Sequence, residues 1–283
     1  MKIAIAGGTG FIGRALVQTL ANAGHEVVVL PRQRDALRAL SPDAVVNLAG
    51  ENLAQRWTPE AKQRIVESRV EGTQRLVSLA LEAGTVRTFV SASAIGYYGN
   101  RGAEPLTEAS APGDDFLARL CRQWEEATRP AGDGGMRTVI LRIGVVLHPE
   151  GGALRKMLPL FRAGLGGPFG SGEQYMSWIH RGDVVRLIQF ALERGDVSGP
   201  FNATAPAPVT NRAFTRALAG ALRRPALLPV PSFALRAALG EMANTVLGGA
   251  RVLPERALNA GFTFEYPALE QALGNLLASP GPR

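Results

Sequence analysis

The first fourteen residues, MKIAIAGGTGFIGR, constrain the fold more than any other stretch of the chain. Ile3, Ala4, Ile5 and Ala6 are an apolar run of the length of one buried parallel strand. Gly7, Gly10 and Gly13 follow at three-residue spacing, and Phe11 to Ala23 then read as an amphipathic helix. A strand, a glycine turn and a helix start leave unpaired backbone N–H groups at the positive end of a helix dipole. That arrangement suits a pyrophosphate. Gly7 allows the tight turn, Gly10 lets the backbone approach the phosphates, and Gly13 lets helix and strand pack closely. A glycine triplet alone is a weak signal. Between a strand and a helix it predicts a dinucleotide site, with Thr9, Phe11 and Ile12 in the same turn.

Strand and helix signals alternate through the first half. Residues 26–30 (EVVVL), 43–48 (DAVVNL), 87–90 and 137–143 (RTVILRI) read as further strands. Residues 59–83 and 114–127 read as long helices between them. Continuous apolar strands separated by helices predict a parallel sheet covered on both faces. The expected fold class is therefore α/β, a Rossmann-like doubly wound parallel sheet with a small, mostly helical C-terminal lobe. We place the nucleotide domain at 1–150, with a return helix near 181–205, and the smaller lobe at 151–180 and 206–283. Helices are expected at 183–194, 211–222, 232–247 and 266–277. Such sheets bind ligands beyond the carboxyl ends of their strands. The loops after Ala6, Leu30, Leu48, Ser91 and Ile143 should line one crevice.

Composition narrows the partners. A chain of 283 residues with 46% apolar content can bury a sizeable core, and its net charge of +7 is basic. Only Lys2, Lys62 and Lys156 are lysines, and the arginines are scattered without interleaved aromatics. A nucleic-acid protein clusters its basic residues, so none is expected as a partner, and an anionic small molecule is. No apolar run approaches the ~20 residues that span a bilayer, so no membrane partner is expected. Cys121 is the only cysteine, which excludes an internal disulfide. Together with an N-terminus occupied by a phosphate loop, it predicts a cytoplasmic protein. Three separated histidines and one cysteine show no metal-ligand spacing.

The residue after the second strand chooses between the two nicotinamide dinucleotides. An acid there bonds the ribose hydroxyls, whereas arginine accommodates a 2′-phosphate. The segment reads VVVLPRQR, with Arg32 two residues past the strand and no acid before Asp35. Arginine's planar fork suits a phosphate. The expected cofactor is NADP(H), although two solvated arginines at a helix start would read the same.

The chain resembles the extended short-chain dehydrogenase/reductases. GGTGFIG matches their glycine fingerprint, and NLAG at 47–50 resembles the loop that passes the adenine and ribose. RVEGT at 69–73 and SASAIGYYG at 91–99 resemble further motifs of theirs. NLAGENLAQRW, GSGEQYMSWIHRGD at 170–183 and ARVLPERALNAGFTFEYPAL are similar to the atypical YfcH-like epimerase family proteins, part of the NAD-dependent epimerase/dehydratase superfamily. The resemblance covers nearly the whole chain. It implies an NADP-binding fold with a small C-terminal lobe and no settled substrate.

Such enzymes usually carry a Tyr-x-x-x-Lys pair on the helix after the fourth strand. Here that helix reads DDFLARLCRQWEEA. Anchored on Glu125, the lysine position is Cys121 and the tyrosine position is Leu117. Neither can tune a proton donor, and none of the four tyrosines has a lysine four places on. Ser93 matches the family's serine; its hydroxyl either donates to a carbonyl oxygen or bonds its own backbone. Tyr97 or Tyr98 could supply a proton from the same loop, or both rings could pack. The candidate catalytic set is thus Ser93, Tyr97 and Tyr98.

The candidate cofactor-binding set adds Leu48, Ala49, Gly50, Glu51, Arg69, Ser91 and Val145 to the glycine turn and Arg32. Arg69 stands where the family has asparagine and could meet a ligand or a buried carboxylate. QYMSWIH at 174–180 mixes polar and aromatic groups, so Gln174, Ser177 and Trp178 are candidate substrate contacts, with support of the lobe junction as the rival. His180 and Asp183 read as residues of a helix start. The favoured function is an NADP(H)-dependent oxidoreductase acting on a small carbonyl. The alternatives are an NADPH-binding or redox-sensing protein without turnover, or a nucleotide-sugar-type epimerase. A homodimer is compatible with the two long helices, which the lobe could equally cover.

Overall fold

The computed structural model describes residues 1–31 and 36–278. Arg32 and Arg34 lie outside the described residues. Six parallel strands form the central sheet: β1 (Lys2–Ala6), β2 (Glu26–Leu30), β3 (Ala44–Asn47), β4 (Thr88–Ala94), β5 (Arg137–Ile143) and β6 (Gly199–Ala203). Their order is β2-β1-β3-β4-β5-β6. The chain leaves β1 toward one edge and returns to β3 on the other side, so the switch point lies between the ends of β1 and β3. Register places Ala6 beside Asn47 and Asn47 beside Ser91, which aligns the strand ends that carry the predicted motifs.

The period-2 pattern of the strands feeds two cores. Ile3 and Ile5 face helices α1 (Gly13–Asn22) and α5 (Arg181–Glu193), together with Val46, Val90, Leu141 and Ile188. Ala4, Val45 and Phe89 face α2 (Pro59–Ala83), which contributes Leu76 and Leu79. Helix α3 (Phe116–Glu126) packs Leu117 and Leu120 on Ile65 of α2. The helix boundaries have local causes. Thr58 caps α2 by accepting from the Ala61 N–H at 3.2 Å, Pro59 occupies the first turn, and Gly84 closes the helix at φ +68°. Asp115 caps α3 at 2.8 Å.

A third core holds the smaller lobe. Trp178 and Phe214 pack with Leu154, Phe161 and Leu273 from α4 (Gly152–Arg162), α6 (Asn211–Leu222) and α7 (Leu269–Leu277). Among the described residues no helix is long and apolar enough to cross a membrane.

The α/β reading of the sheet holds, with differences at particular elements. Helix α4 falls in a glycine-rich stretch for which no helix was expected, and it carries Pro159 in its interior. Strand β6, GPFNA, opens with residues that seldom signal a strand, and pairing with β5 makes it one. The helix expected at 232–247 breaks at Gly240, whose φ of +60° separates Ser232–Leu239 from Ala243–Leu247. The C-terminal part does not stay within the lobe. Arg251–Val252 pairs with Pro105–Leu106, and Phe262 and Phe264 join the core beneath β1.

Candidate functional site

The glycine turn sits at the switch point and is built for close approach. Gly7 has φ +84°, and a Cβ there would lie 2.7 Å from the Leu48 carbonyl carbon. A Cβ on Gly13 would lie 2.2 Å from the Gly7 oxygen. Both positions are therefore closed to any side chain, which is how β1, α1 and the loop after β3 come into contact. No side chain caps α1, and the Phe11 and Ile12 amides find no backbone acceptor among the described residues. Thr9 and Gly10 are exposed. These open donors at a helix start fit the phosphates of a dinucleotide. Phe11 is wedged against Gly151 and Gly152, where a Cβ on Gly151 would come within 2.3 Å of its ring, and Arg181 lies over the ring at 5.5 Å.

The loop after β3 is held from both sides. Asn47 Nδ2 donates to Thr73 Oγ1 at 2.8 Å, and the same oxygen accepts from Trp124 Nε1 at 3.1 Å. One threonine of the RVEGT segment thus fastens β3 to α2 and α3. The Glu51 N–H donates to Ser68 Oγ at 2.9 Å. Arg69 is only 7% exposed. Its guanidinium lies against the Cα of Gly50, where a Cβ would stand 2.9 Å from Cζ, and over Trp124 at 5.1 Å. The buried-carboxylate alternative finds no support, because among the described residues Arg69 forms no ion pair, and its buried Nε and Nη1 have no hydrogen-bond partner. Burial pulls its pKa down to about 10, against the pull of Glu51, so the group stays cationic near neutrality.

The expected catalytic residues meet a buried polar network. Ser93 Oγ donates to Glu125 Oε1 at 2.7 Å, so its proton is committed to a carboxylate. Glu125 also receives Arg142 Nε and Nη2, each at 2.9 Å. Arg142 Nη1 donates to the Tyr98 hydroxyl at 2.9 Å, and that hydroxyl donates to Asn202 Oδ1 at 2.7 Å. Tyr98 is fully buried, and burial pushes its pKa up to about 12. Two expectations are corrected here. Tyr98 is a core residue that cannot reach a ligand, and Ser93 has no free proton for a carbonyl oxygen. Burial also pushes the Cys121 thiol up to about 12, beside Glu125. Tyr97 differs: its ring stacks on Arg142, with Cζ 3.4 Å from the centroid, and it is only partly buried. Ser91 is sealed in the sheet, its hydroxyl donating to the Ala92 carbonyl at 3.3 Å, so it offers no side-chain contact to a cofactor.

The expected substrate wall is corrected as well. Trp178 is fully buried in the lobe core and donates to the Ala207 carbonyl at 3.0 Å. Ser177 donates to the Ala250 carbonyl at 2.7 Å and accepts from the Val252 N–H at 2.8 Å. Gln174 donates to the Phe169 and Val246 carbonyls. An alternation of polar and aromatic residues reads alike in a ligand wall and in a lobe junction, and here the side-chain donors of Gln174, Ser177 and Trp178 all go to backbone carbonyls. Val145 hydrogen-bonds the Ser177 carbonyl at 2.9 Å and stays half-buried at the end of the crevice. His180 caps α5, and Asp183 accepts from the Glu265 and Tyr266 N–H groups, so both are structural.

The profile of the NAD dependent epimerase/dehydratase family matches residues 3–204. The chain belongs to that family. A second profile, a domain of unknown function called DUF1731, matches residues 230–276. The epimerase family protein MT2273 of Mycobacterium tuberculosis is 46% identical over 99% of this chain and 98% of its own length. The crystal structure of human epimerase family protein SDR39U1 with NADPH superposes with a TM-score of 0.93 at 39% identity, covering 98% of this chain and 99% of that one. A nucleoside-diphosphate sugar epimerase from Corynebacterium glutamicum gives a TM-score of 0.80 at 37% identity, over 98% of this chain and 58% of that one. The expectation of an atypical extended short-chain dehydrogenase/reductase therefore stands.

Sequence reasoning missed Arg142, Asn202 and Glu108 as members of the network. The signal was present for Arg142, a cation inside the apolar strand RTVILRI, because a charge in a buried strand must find a partner. Glu108 accepts from the Asn202 N–H at 2.8 Å and is raised above its ordinary carboxylate range by burial. It lies in a loop without any motif, and only the fold brings it to β6.

Proposed function

We propose that this chain is an NADP(H)-dependent oxidoreductase that reduces a small carbonyl compound. The observation that carries the reading is the cradle of the glycine turn: two positions closed to any side chain and two helix-start amides with no backbone acceptor among the described residues. The NADPH in the human relative supports the same cofactor. The turn from Gly7 to Gly13 would hold the pyrophosphate, the backbone of Leu48, Ala49 and Gly50 with Glu51 would flank the riboses, and Val145 would border the nicotinamide. Arg32 remains our choice for the 2′-phosphate. When bound, the reduced nicotinamide supplies a hydride.

The chain's own contribution is a proton and a dry wall. Of the three residues first considered, Tyr97 is the one whose hydroxyl the network does not consume. A neutral tyrosine is a competent acid for a carbonyl oxygen and a poor base for the reverse reaction. Reduction therefore suits the site better than epimerisation. Purified protein with NADPH and a panel of small aldehydes and ketones tests this at the reduced-nicotinamide absorbance. Tyr97→Phe should lower turnover by about 100-fold or more with NADPH affinity unchanged. Full turnover in that variant would remove Tyr97 from the mechanism.

A second reading has its own support. The engagement of Ser93 and Tyr98 in a closed network favours a protein that binds NADPH without turnover. Tight NADPH binding with no oxidation by any compound of the panel would select it.

A further inference from the structure

We propose that Arg69 is the anchor for the carboxylate of a small oxoacid. The proposal rests on the NADP(H) reading of the crevice and adds the charge class of the second ligand. A guanidinium carries five N–H donors and a full charge, and a protein interior rarely leaves them unpaired. Arg69 is 93% buried, yet among the described residues its buried Nε and Nη1 have no hydrogen-bond partner and no carboxylate pairs with it. The chain nevertheless makes room for it: Gly50 has no side chain, and any Cβ there would collide with Cζ, Nη1 and Nη2 at 2.9–3.1 Å.

The cofactor's phosphates are not its counter-ion. The Leu48–Ala49 peptide lies directly on Gly7, and Gly50 lies directly on the guanidinium. The loop after β3 thus stands between the glycine turn and Arg69. Trp124 of α3 backs the guanidinium at 5.1 Å, and Cys121 and Glu51 lie close enough to act on it electrostatically. Cys121 adjoins Ser93, and Tyr97 follows on the same β4 loop. On this proposal a ligand that presents its carbonyl to Tyr97 turns its other end to the Arg69 guanidinium, whose buried Nε and Nη1 lack acceptors among the described residues. A compact planar anion on that ligand supplies both the charge and the acceptors that Arg69 lacks. A carboxylate does so in the arginine fork's own plane.

The test uses full-length protein saturated with NADP+, so that nothing turns over, and calorimetry with pyruvate, neutral methyl pyruvate and inorganic phosphate. Pyruvate should bind, and methyl pyruvate should bind at least tenfold more weakly, as expected for loss of a charged hydrogen-bonded contact. Arg69→Met should weaken pyruvate at least about tenfold, with Arg69→Lys in between and NADP+ affinity within about threefold in both. The melting temperature supplies an independent readout. A structural arginine loses stability on replacement, whereas removing an unpaired buried charge should leave Arg69→Met as stable as the parent or more so. Equal pyruvate affinity in Arg69→Met and parent would overturn the proposal. So would the absence of pyruvate binding in the parent, a preference for phosphate, or an Arg69→Met variant that loses NADP+ instead. The parent's own affinity for NADP+ is read separately, so failure of the cofactor reading shows in a different number.

Discussion

Replacing Glu125 with alanine isolates the element that shapes the β4 loop. Arg142 and Glu125 have side chains only 4% and 12% exposed and share two parallel hydrogen bonds of 2.9 Å. The pairing holds the Arg142 guanidinium strongly in its charged form even though burial opposes it. Glu125→Ala leaves that charge buried without its partner, and breaking a buried pair from one side costs about 3–5 kcal/mol. One kilocalorie shifts the midpoint of a domain this large by about 2–4 °C, so a fall of roughly 6–20 °C is expected by thermal unfolding. The paired substitution Glu125→Leu with Arg142→Met removes both charges. It should recover most of the loss and lie within about 2 kcal/mol of the parent, since apolar replacements of buried pairs are often neutral. The residual is set by two buried hydroxyls, Tyr98 losing the donor Arg142 and Ser93 losing the acceptor Glu125. A Glu125→Ala variant that melts within about 2 °C of the parent, or a double variant whose loss equals the sum of the two single ones, would refute the reasoning.

Two other outcomes follow from single contacts. Gly13→Ala puts a Cβ 2.2 Å from the Gly7 oxygen and 2.7 Å from the Gly8 Cα, neither of which can move without opening the turn. NADPH affinity, read by fluorescence titration, should fall about 30-fold or more, with a stability loss of about 1–3 kcal/mol. Glu108 has a folded-state pKa raised by burial above its ordinary 4.5, so the fold favours its protonated form. The stability linked to it is complete below pH 4.5 and is lost as pH rises through the folded value. Glu108→Gln has no proton to lose, so its melting temperature relative to the parent should improve between pH 4 and pH 7. A difference that stays constant, or that moves against Glu108→Gln as pH rises, would contradict the assignment.

The fold was legible where one local pattern sufficed. Helix α2 carries its own cap, its proline and its closing glycine, and its bounds at 59 and 83 agree with the sequence reading. Strand β5 announces itself at 137–143 by β-branched residues. The elements that escaped are the ones whose state depends on a distant neighbour. β6 is a strand because β5 offers it a ladder, and α4 is a helix because Leu154 and Phe161 face Trp178 and Phe214. The site divides in the same way. The glycine turn is a backbone device, and spacing alone specifies a backbone device. The fate of a hydroxyl depends on which carboxylate or carbonyl lies opposite. Ser93 and Tyr98 are therefore paired with partners 32 and 104 residues away that no local window contains. Arg69 is an instructive intermediate. Its oddity shows in the RVEGT segment, but that its buried Nε and Nη1 find no acceptor among the described residues is visible only in three dimensions.

The return of the C-terminal stretch to the sheet sets an order of events during synthesis. Phe262 and Phe264 close the same core as Ile3 and Ile5, with the Phe262 ring 5.4 Å from that of Phe190 on α5. The last strand of the sheet ends at Ala203, so some 60 further residues must be made before this flank is covered. At a translation rate of about 5–20 residues per second, the nascent protein carries a completed six-strand sheet with an oily, uncapped edge for roughly 3–12 s. Ribosome-associated chaperones should engage it in that interval, and release before residue 264 should yield a sticky fragment rather than a smaller working domain.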